Sequence, residues 1–142
     1  MYCLPLFGGC SSSQLKSIQV LQNKAARVVL HLPPRSNRDS MFNKVKWLTV
    51  NQLVVYHTLL TVFKVRLSKE PEYLAQFLRN DNRLGKIIVP NTNLSLAKSS
   101  FLWRGSEDWN KLPRDLRNCR KIGLFKPRLR NWICENIPRF LE

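Results

Sequence analysis

Between Leu15 and Leu32 the apolar residues recur at three- and four-residue steps: Leu15, Ile18, Leu21, Ala25, Val28, Val29 and Leu32. That spacing draws one stripe along an α-helix. It predicts a helix that turns these residues toward a core, with Lys16, Lys24 and Arg27 off the stripe. Ser11-Ser12-Ser13 supplies capping hydroxyls ahead of it. Pro33-Pro34 ends it, because proline has no N–H to donate and keeps the preceding residue out of helical geometry.

After a polar connector, Ser40 to Val45 predicts a short helix, and Trp47-Leu48 leads into a longer one. Thr49-Val50-Asn51-Gln52 has the form of a capping box, and Leu48 is placed to staple onto Leu53. Leu53, Val54, Tyr56, His57, Leu60, Phe63, Lys64 and Leu67 predict a broad, largely buried face, with His57 a hydrogen-bonded core residue. Glu70-Pro71-Glu72 opens a short helix with acids where the helix dipole favours them, and its apolar side is Tyr73, Leu74, Phe77 and Leu78. A turn is expected at residues 79–82.

Lys86-Ile87-Ile88-Val89 is β-branched and bounded by Gly85 and Pro90, so an extended run is expected there, pairing with Leu94 to Ala97. Ser99 to Leu112 reads as helical, broken at Gly105-Ser106. Pro113 then starts a helix with Arg114, Arg117 and Lys121 on one side and Leu116 on the other. Phe125, Leu129, Trp132 and Ile133 predict a last helix from near Leu124, with Pro127 in its first turn. The pattern as a whole predicts a mainly α fold: a small bundle of about five to seven helices with at most one short two-stranded β-ribbon in residues 86–97.

The chain has 24 basic residues against 9 acidic, a formal charge of +15. Residues 1–50 hold 7 basic and 1 acidic, 51–100 hold 7 and 3, and 101–142 hold 10 and 5. The excess therefore runs along an amphipathic chain instead of sitting in one tail, the pattern of a folded surface that faces phosphates. It is densest in residues 111–139, with nine basic side chains against Asp115 and Glu135. The candidate nucleic-acid contacts are Arg114, Arg117, Lys121, Lys126, Arg128 and Arg130, with Lys16, Lys24 and Arg27 on the first helix. Trp103 and Trp109 could stack on bases, but their apolar neighbours favour a core role.

No apolar run reaches the roughly 18 residues of a membrane span, and no membrane partner is expected. Met1 to Phe7 is apolar but lacks the basic lead of a signal peptide. Cys3, Cys10, Cys119 and Cys134 form no close pair, and His31 and His57 stand apart, so zinc spacing is lacking. Four reduced, mostly buried thiols inside the cell are expected, and the sequence does not separate nucleus from cytoplasm. The nine acids mostly fall at predicted helix starts or chain ends, neighbouring Glu107 and Asp108 diverge on a helix, and no phosphate loop or serine elbow occurs. The expectation is a chain without catalysis, cofactor or metal.

The order of motifs resembles the segment that follows the catalytic palm in reverse transcriptases of non-LTR (LINE-type, jockey-like) retrotransposons. Leu21-Gln22-Asn23-Lys24-Ala25-Ala26-Arg27 is similar to that family's helix at the thumb end. Trp47-Leu48-Thr49-Val50 and Val62-Phe63-Lys64-Val65 resemble the next segment, and Pro71-Glu72-Tyr73-Leu74 its Pro-x-Tyr-Leu element. Arg83, Val89-Pro90, Ser99-Ser100-Phe101 and Trp109-Asn110-Lys111-Leu112-Pro113 follow in the family's order. Phe125-Lys126 with Leu129 and Trp132 resembles its closing helix. The resemblance spans residues 15–133. It implies a thumb-end remnant, strand and helix, in residues 1–34 and a C-terminal helical accessory domain in 35–142, packed as one unit. It places Met1 past the palm, and the Tyr-x-Asp-Asp polymerase core does not occur in this sequence. It marks Trp47, Leu48, Trp109, Asn110, Leu112, Pro113, Phe125 and Trp132 as structural positions.

Three readings follow. The chain is an accessory that grips template RNA or target DNA by its backbone, a helical module that docks on the family's upstream polymerase domain, or a decayed copy of the element.

Overall fold

The computed structural model describes residues 4–79 and 84–139. Helices make up 68% of them, and no strand forms among them. In chain order these are α1 (Leu4–Phe7), α2 (Ser12–Leu30), α3 (Arg38–Val45), α4 (Val50–Ser68), α5 (Glu72–Phe77), α6 (Ser95–Lys98), α7 (Phe101–Lys111), α8 (Arg114–Arg117) and α9 (Ile122–Asn136). The mainly α bundle expected from periodicity is the fold observed. The expected turn at Asn80 to Asn82, as well as Arg83 and Cys3, lies outside the described residues.

The hub is α4, on which α1, α2, α5, α7 and α9 all pack. Its sequence is apolar nearly all round, as a helix covered on several sides must be. Val54, Leu59, Val62, Phe63 and Val65 are buried from different turns of it. The capping box at its start forms as expected, Thr49 and Gln52 each accepting from the other's N–H. Leu48 and Leu53 both join the main core beside it. The rings of Phe63 and Phe125 stack at 4.0 Å between α4 and α9, with Trp109 against the same Phe125. His57, expected in the core, is half-buried with its ring edge-on to Tyr56, because α4 turns Thr58 and Leu59 inward instead.

Four further expectations are corrected. Leu4–Phe7 form a helical turn, not the strand the resemblance implies; Gly9 and Cys10 close that turn onto the carbonyls of Leu6 and Phe7. Residues 86–97 form no ribbon, since Ile87 pairs its backbone with the Asn110 side chain and Ser95–Lys98 coil into α6. Helix α7 runs unbroken through Gly105-Ser106, where the bare glycine lets α7 approach α4: a Cβ there would lie 3.0 Å from Val62. Helix α9 begins at Ile122, so Pro127 lies in its second turn, where the ring faces the carbonyl of the exposed Gly123.

The first helix corrects the sequence most. Ser11 caps α2 with a capping box, and His31 ends it in left-handed geometry before the prolines. Of the apolar stripe only Leu15 is buried, and the rest of its inward face is Gln19, Gln22, Asn23 and Ala26. The amides do the docking: Gln19 accepts from the Val50 N–H at 2.9 Å and donates to Asn23 at 2.9 Å, while Gln22 donates to the Leu48 carbonyl at 2.8 Å. Most of the predicted core stripe points outward, with Leu21 63% and Val28 74% exposed and Ile18 and Val29 exposed beside them.

Candidate nucleic-acid interface

The basic residues singled out by sequence are divided among several surfaces. Lys126, Arg128 and Arg130 are all exposed on α9. Helical spacing puts Lys126 and Arg130 on one flank and Arg128 on the other. Arg130 donates to the Lys46 carbonyl. On α2, Lys16 lines a cleft with Arg38 and Arg139, whose guanidinium faces Asp39 at 4.0 Å. Arg27 lines a second cleft with Arg35 and Arg38, and its Nε is buried with no hydrogen-bond partner among the described residues. Lys24 is exposed.

The expected row of Arg114, Arg117 and Lys121 on one helix does not form. Helix α8 is a single turn capped by Pro113, and the chain leaves it at Asn118. Lys121 caps α9 instead. Arg114 and Lys121 are exposed, whereas Arg117 turns inward and donates from Nη1 to the Leu84 carbonyl at 2.8 Å.

Arg117 meets a residue that periodicity did not single out. Arg66, in the last turn of α4, lays its guanidinium 4.6 Å from the centre of the Trp109 ring. The two arginines line one cleft of about 850 Å³ with Lys69 and Arg120, and no carboxylate among the described residues lines it. Arg66 Nη1 and Arg117 Nε are buried without hydrogen-bond partners among the described residues. Burial first, and the neighbouring Arg117 charge second, hold the Arg66 guanidinium below its ordinary pKa. On its other side Arg66 and Lys69 line a smaller groove with Glu72 that reaches Arg79. The signal for Arg66 in the sequence was a lone arginine in the apolar last turns of a helix predicted to be buried.

The structural positions mostly do structural work. Trp109 is 1% exposed and donates from Nε1 to the Gly85 carbonyl, so it is not a stacking platform. Leu48, Leu112 and Phe125 are buried, Trp132 packs on the core from its edge, and Trp47 is exposed. Trp103 is half-buried. The most exposed aromatics among the described residues are instead Tyr73 and Phe77 on α5, at 63% and 59%, which the sequence had assigned to the core side of that helix. Only Leu78 of that set is buried and Leu74 half-buried, because α5 is six residues long and meets α4 along one edge. The thiols are likewise less buried than expected: Cys10 and Cys119 are half-buried and Cys134 is exposed, all three free.

No helix among the described residues is long and apolar enough to cross a membrane. Comparison with family models, with curated proteins and with solved structures finds no match for this chain.

Proposed function

We propose that this protein is a non-catalytic nucleic-acid-binding module that grips RNA or DNA through the phosphate backbone. The observation that carries the reading is the cleft where Arg66, Lys69, Arg117 and Arg120 gather with no carboxylate among the described residues that line it. Cations are ordinarily neutralised by neighbouring acids or left apart in water, and gathering them on one surface has a use when polyanions bind. Exposed basic side chains on α8 and α9, and Tyr73 and Phe77 on α5, extend the same chemistry to backbone and bases. This agrees with the resemblance to the C-terminal segment of LINE-type reverse transcriptases, whose role there would be to hold template RNA or target DNA. The test is the binding of mixed-sequence RNA and duplex DNA to the isolated chain across a salt series. Binding that ignores salt overturns the reading.

A second reading is favoured by α2. Its outward stripe of Ile18, Leu21, Val28 and Val29 is the contiguous apolar surface of a helix that docks on another protein. In the resembled family that protein would be the upstream polymerase domain. Replacing Leu21 and Val28 by Gln should raise solubility and lower self-association without loss of helix content; unchanged solution behaviour counts against docking.

A further inference from the structure

The charged surface of this protein is diffuse, but one part of it is built. Arg66 and Arg117 come from different helices, 51 residues apart in sequence, and converge on one cleft. Each is anchored on one side only. Arg66 is held by the Trp109 ring, and Arg117 by the Leu84 carbonyl. Each keeps one buried nitrogen, Nη1 of Arg66 and Nε of Arg117, without an acceptor among the described residues. Leaving such a donor unmet is costly, and charged donors more so than neutral ones. Two guanidiniums lining one cleft, with no carboxylate among its described lining residues, also repel. An anion with several acceptor oxygens would relieve both conditions at once, since a guanidinium fork matches a phosphate bidentately. A chloride has no directed acceptor set, and a carboxylate offers two oxygens where a phosphate offers more.

We propose that the Arg66–Arg117 cleft is a seat for one phosphate group, with Lys69 and Arg120 at its rim. The source is a backbone phosphate of a bound polynucleotide; this part of the proposal rests on the nucleic-acid reading, while the phosphate seat does not. The seat is sequence-blind, because it holds only the group common to every nucleotide.

The experiment compares thermal melting of the full chain in phosphate and in chloride at equal ionic strength, together with binding of mixed-sequence single-stranded RNA. The variants are Arg66→Met, which keeps the stem against Trp109, and Arg117→Gln. Arg120→Gln, on an exposed residue, serves if either of these loses its helical circular-dichroism signal. Phosphate should raise the parent's melting temperature above its value in chloride, because a ligand of the folded state stabilises it. Arg66→Met and Arg117→Gln should abolish that increment and weaken RNA binding by about tenfold, the worth of one charge-assisted contact. Arg120→Gln should lower both in the same direction by less. No increment in the parent, or an increment the variants keep in full, overturns the seat. An increment lost with unchanged RNA affinity overturns the polynucleotide source and leaves a site for free phosphate. A variant-sensitive increment in a chain that binds no RNA supports the seat and defeats the nucleic-acid reading alone.

Discussion

Asn110 holds Ile87 by both ends of its carboxamide: Oδ1 accepts from the Ile87 N–H at 2.8 Å, and Nδ2 donates to the Ile87 carbonyl at 2.9 Å. This is the pairing that a neighbouring strand would supply, delivered by one side chain of α7. It helps hold the β-branched run beside Gly85 extended, together with the Ile88 N–H, which donates to the Arg79 carbonyl at 3.2 Å. It also positions Gly85, whose carbonyl receives the Trp109 indole and whose residue lines the arginine cleft. Asn110→Ala leaves the buried Ile87 with an unmet donor and acceptor. The expected loss is about 2–4 kcal/mol in denaturant melts, from two groups at the usual cost of an unmet buried partner. Asn110→Asp keeps the acceptor and loses the donor, and should fall between. A loss below about 0.5 kcal/mol in the alanine variant would show that water replaces the amide.

Trp109 joins the core to the cleft. Its ring is buried against Phe125 and carries the Arg66 guanidinium on its face. Trp109→Ala should destabilise the fold by about 3–5 kcal/mol, as large aromatics lost from cores do. Trp109→Phe should recover most of that stability while losing the bond to the Gly85 carbonyl. Chemical denaturation of the three proteins checks it, and a loss under about 1 kcal/mol for the alanine would contradict the buried role.

Two glycines separate packing from propensity. Both lie in helices, so alanine gains up to about 1 kcal/mol of helix propensity at either. At Gly123, in the exposed first turn of α9, a Cβ meets nothing within 4 Å, and Gly123→Ala should stabilise by about 0.5–1 kcal/mol. At Gly105 the same Cβ would lie 3.0 Å from the buried, β-branched Val62, which has little room to turn. Crowding should win there, with Gly105→Ala destabilising by about 1–2 kcal/mol. Gly105→Ala with Val62→Ala should be better than additive in a double-mutant cycle; strict additivity would show that the two helices do not meet at this point.

The long helices α2 and α4 and their N-terminal caps were legible in the sequence because both are local. Ser11 with Gln14 and Thr49 with Gln52 each close a box within four residues. The inward face of α2 was not legible. Counting apolar residues selects Ile18, Leu21, Ala25 and Val28, but the helix docks by Gln19 and Gln22 on the Leu48 carbonyl and Val50 N–H. Those acceptors and donors exist only once the capped start of α4 has formed. The cleft escaped for a related reason. Arg117 was visible as part of a basic run, but its partner Arg66 lies in another helix, and nothing local to Val65-Arg66-Leu67 shows that it will face a second cation.

His57 gives a pH dependence whose sign is fixed by its surroundings. Burial first, with the positive charge of Lys64 adding to it, lowers its pKa from the ordinary 6.5. In acid the unfolded chain therefore takes up this proton more readily than the folded one. The contribution to stability is present above about pH 6.5 and is lost as pH falls through the lowered folded value. His57→Gln should flatten that part of the stability profile between neutral pH and pH 5, read by denaturation at stepped pH. An unchanged slope would assign it to other groups.

The exposed cations around α8 and the start of α9 should set the salt dependence of nucleic-acid binding. Arg114, Arg120 and Lys121 are all exposed and surround the turn that leads out of the arginine cleft. Arg117 does not belong in that group, since its guanidinium is committed to the Leu84 carbonyl and to the cleft. Each exposed cation that lies on a phosphate releases about 0.7 to 0.9 counterions on binding. Replacing the three together by Gln should therefore flatten the slope of log affinity against log salt by about 2–3 units, equally for all sequences. Lys126→Gln with Arg128→Gln is the control within α9, because helical spacing sends these two side chains to opposite flanks and one backbone track can meet only one of them. That pair should flatten the slope by no more than about 1 unit. A triple variant with the parent's slope and affinity would take the α8–α9 corner off the binding surface and move the interface to the Lys16 and Arg27 clefts beside α2. A pair variant that costs as much as the triple would instead put α9 across the backbone, with strands on both sides of it.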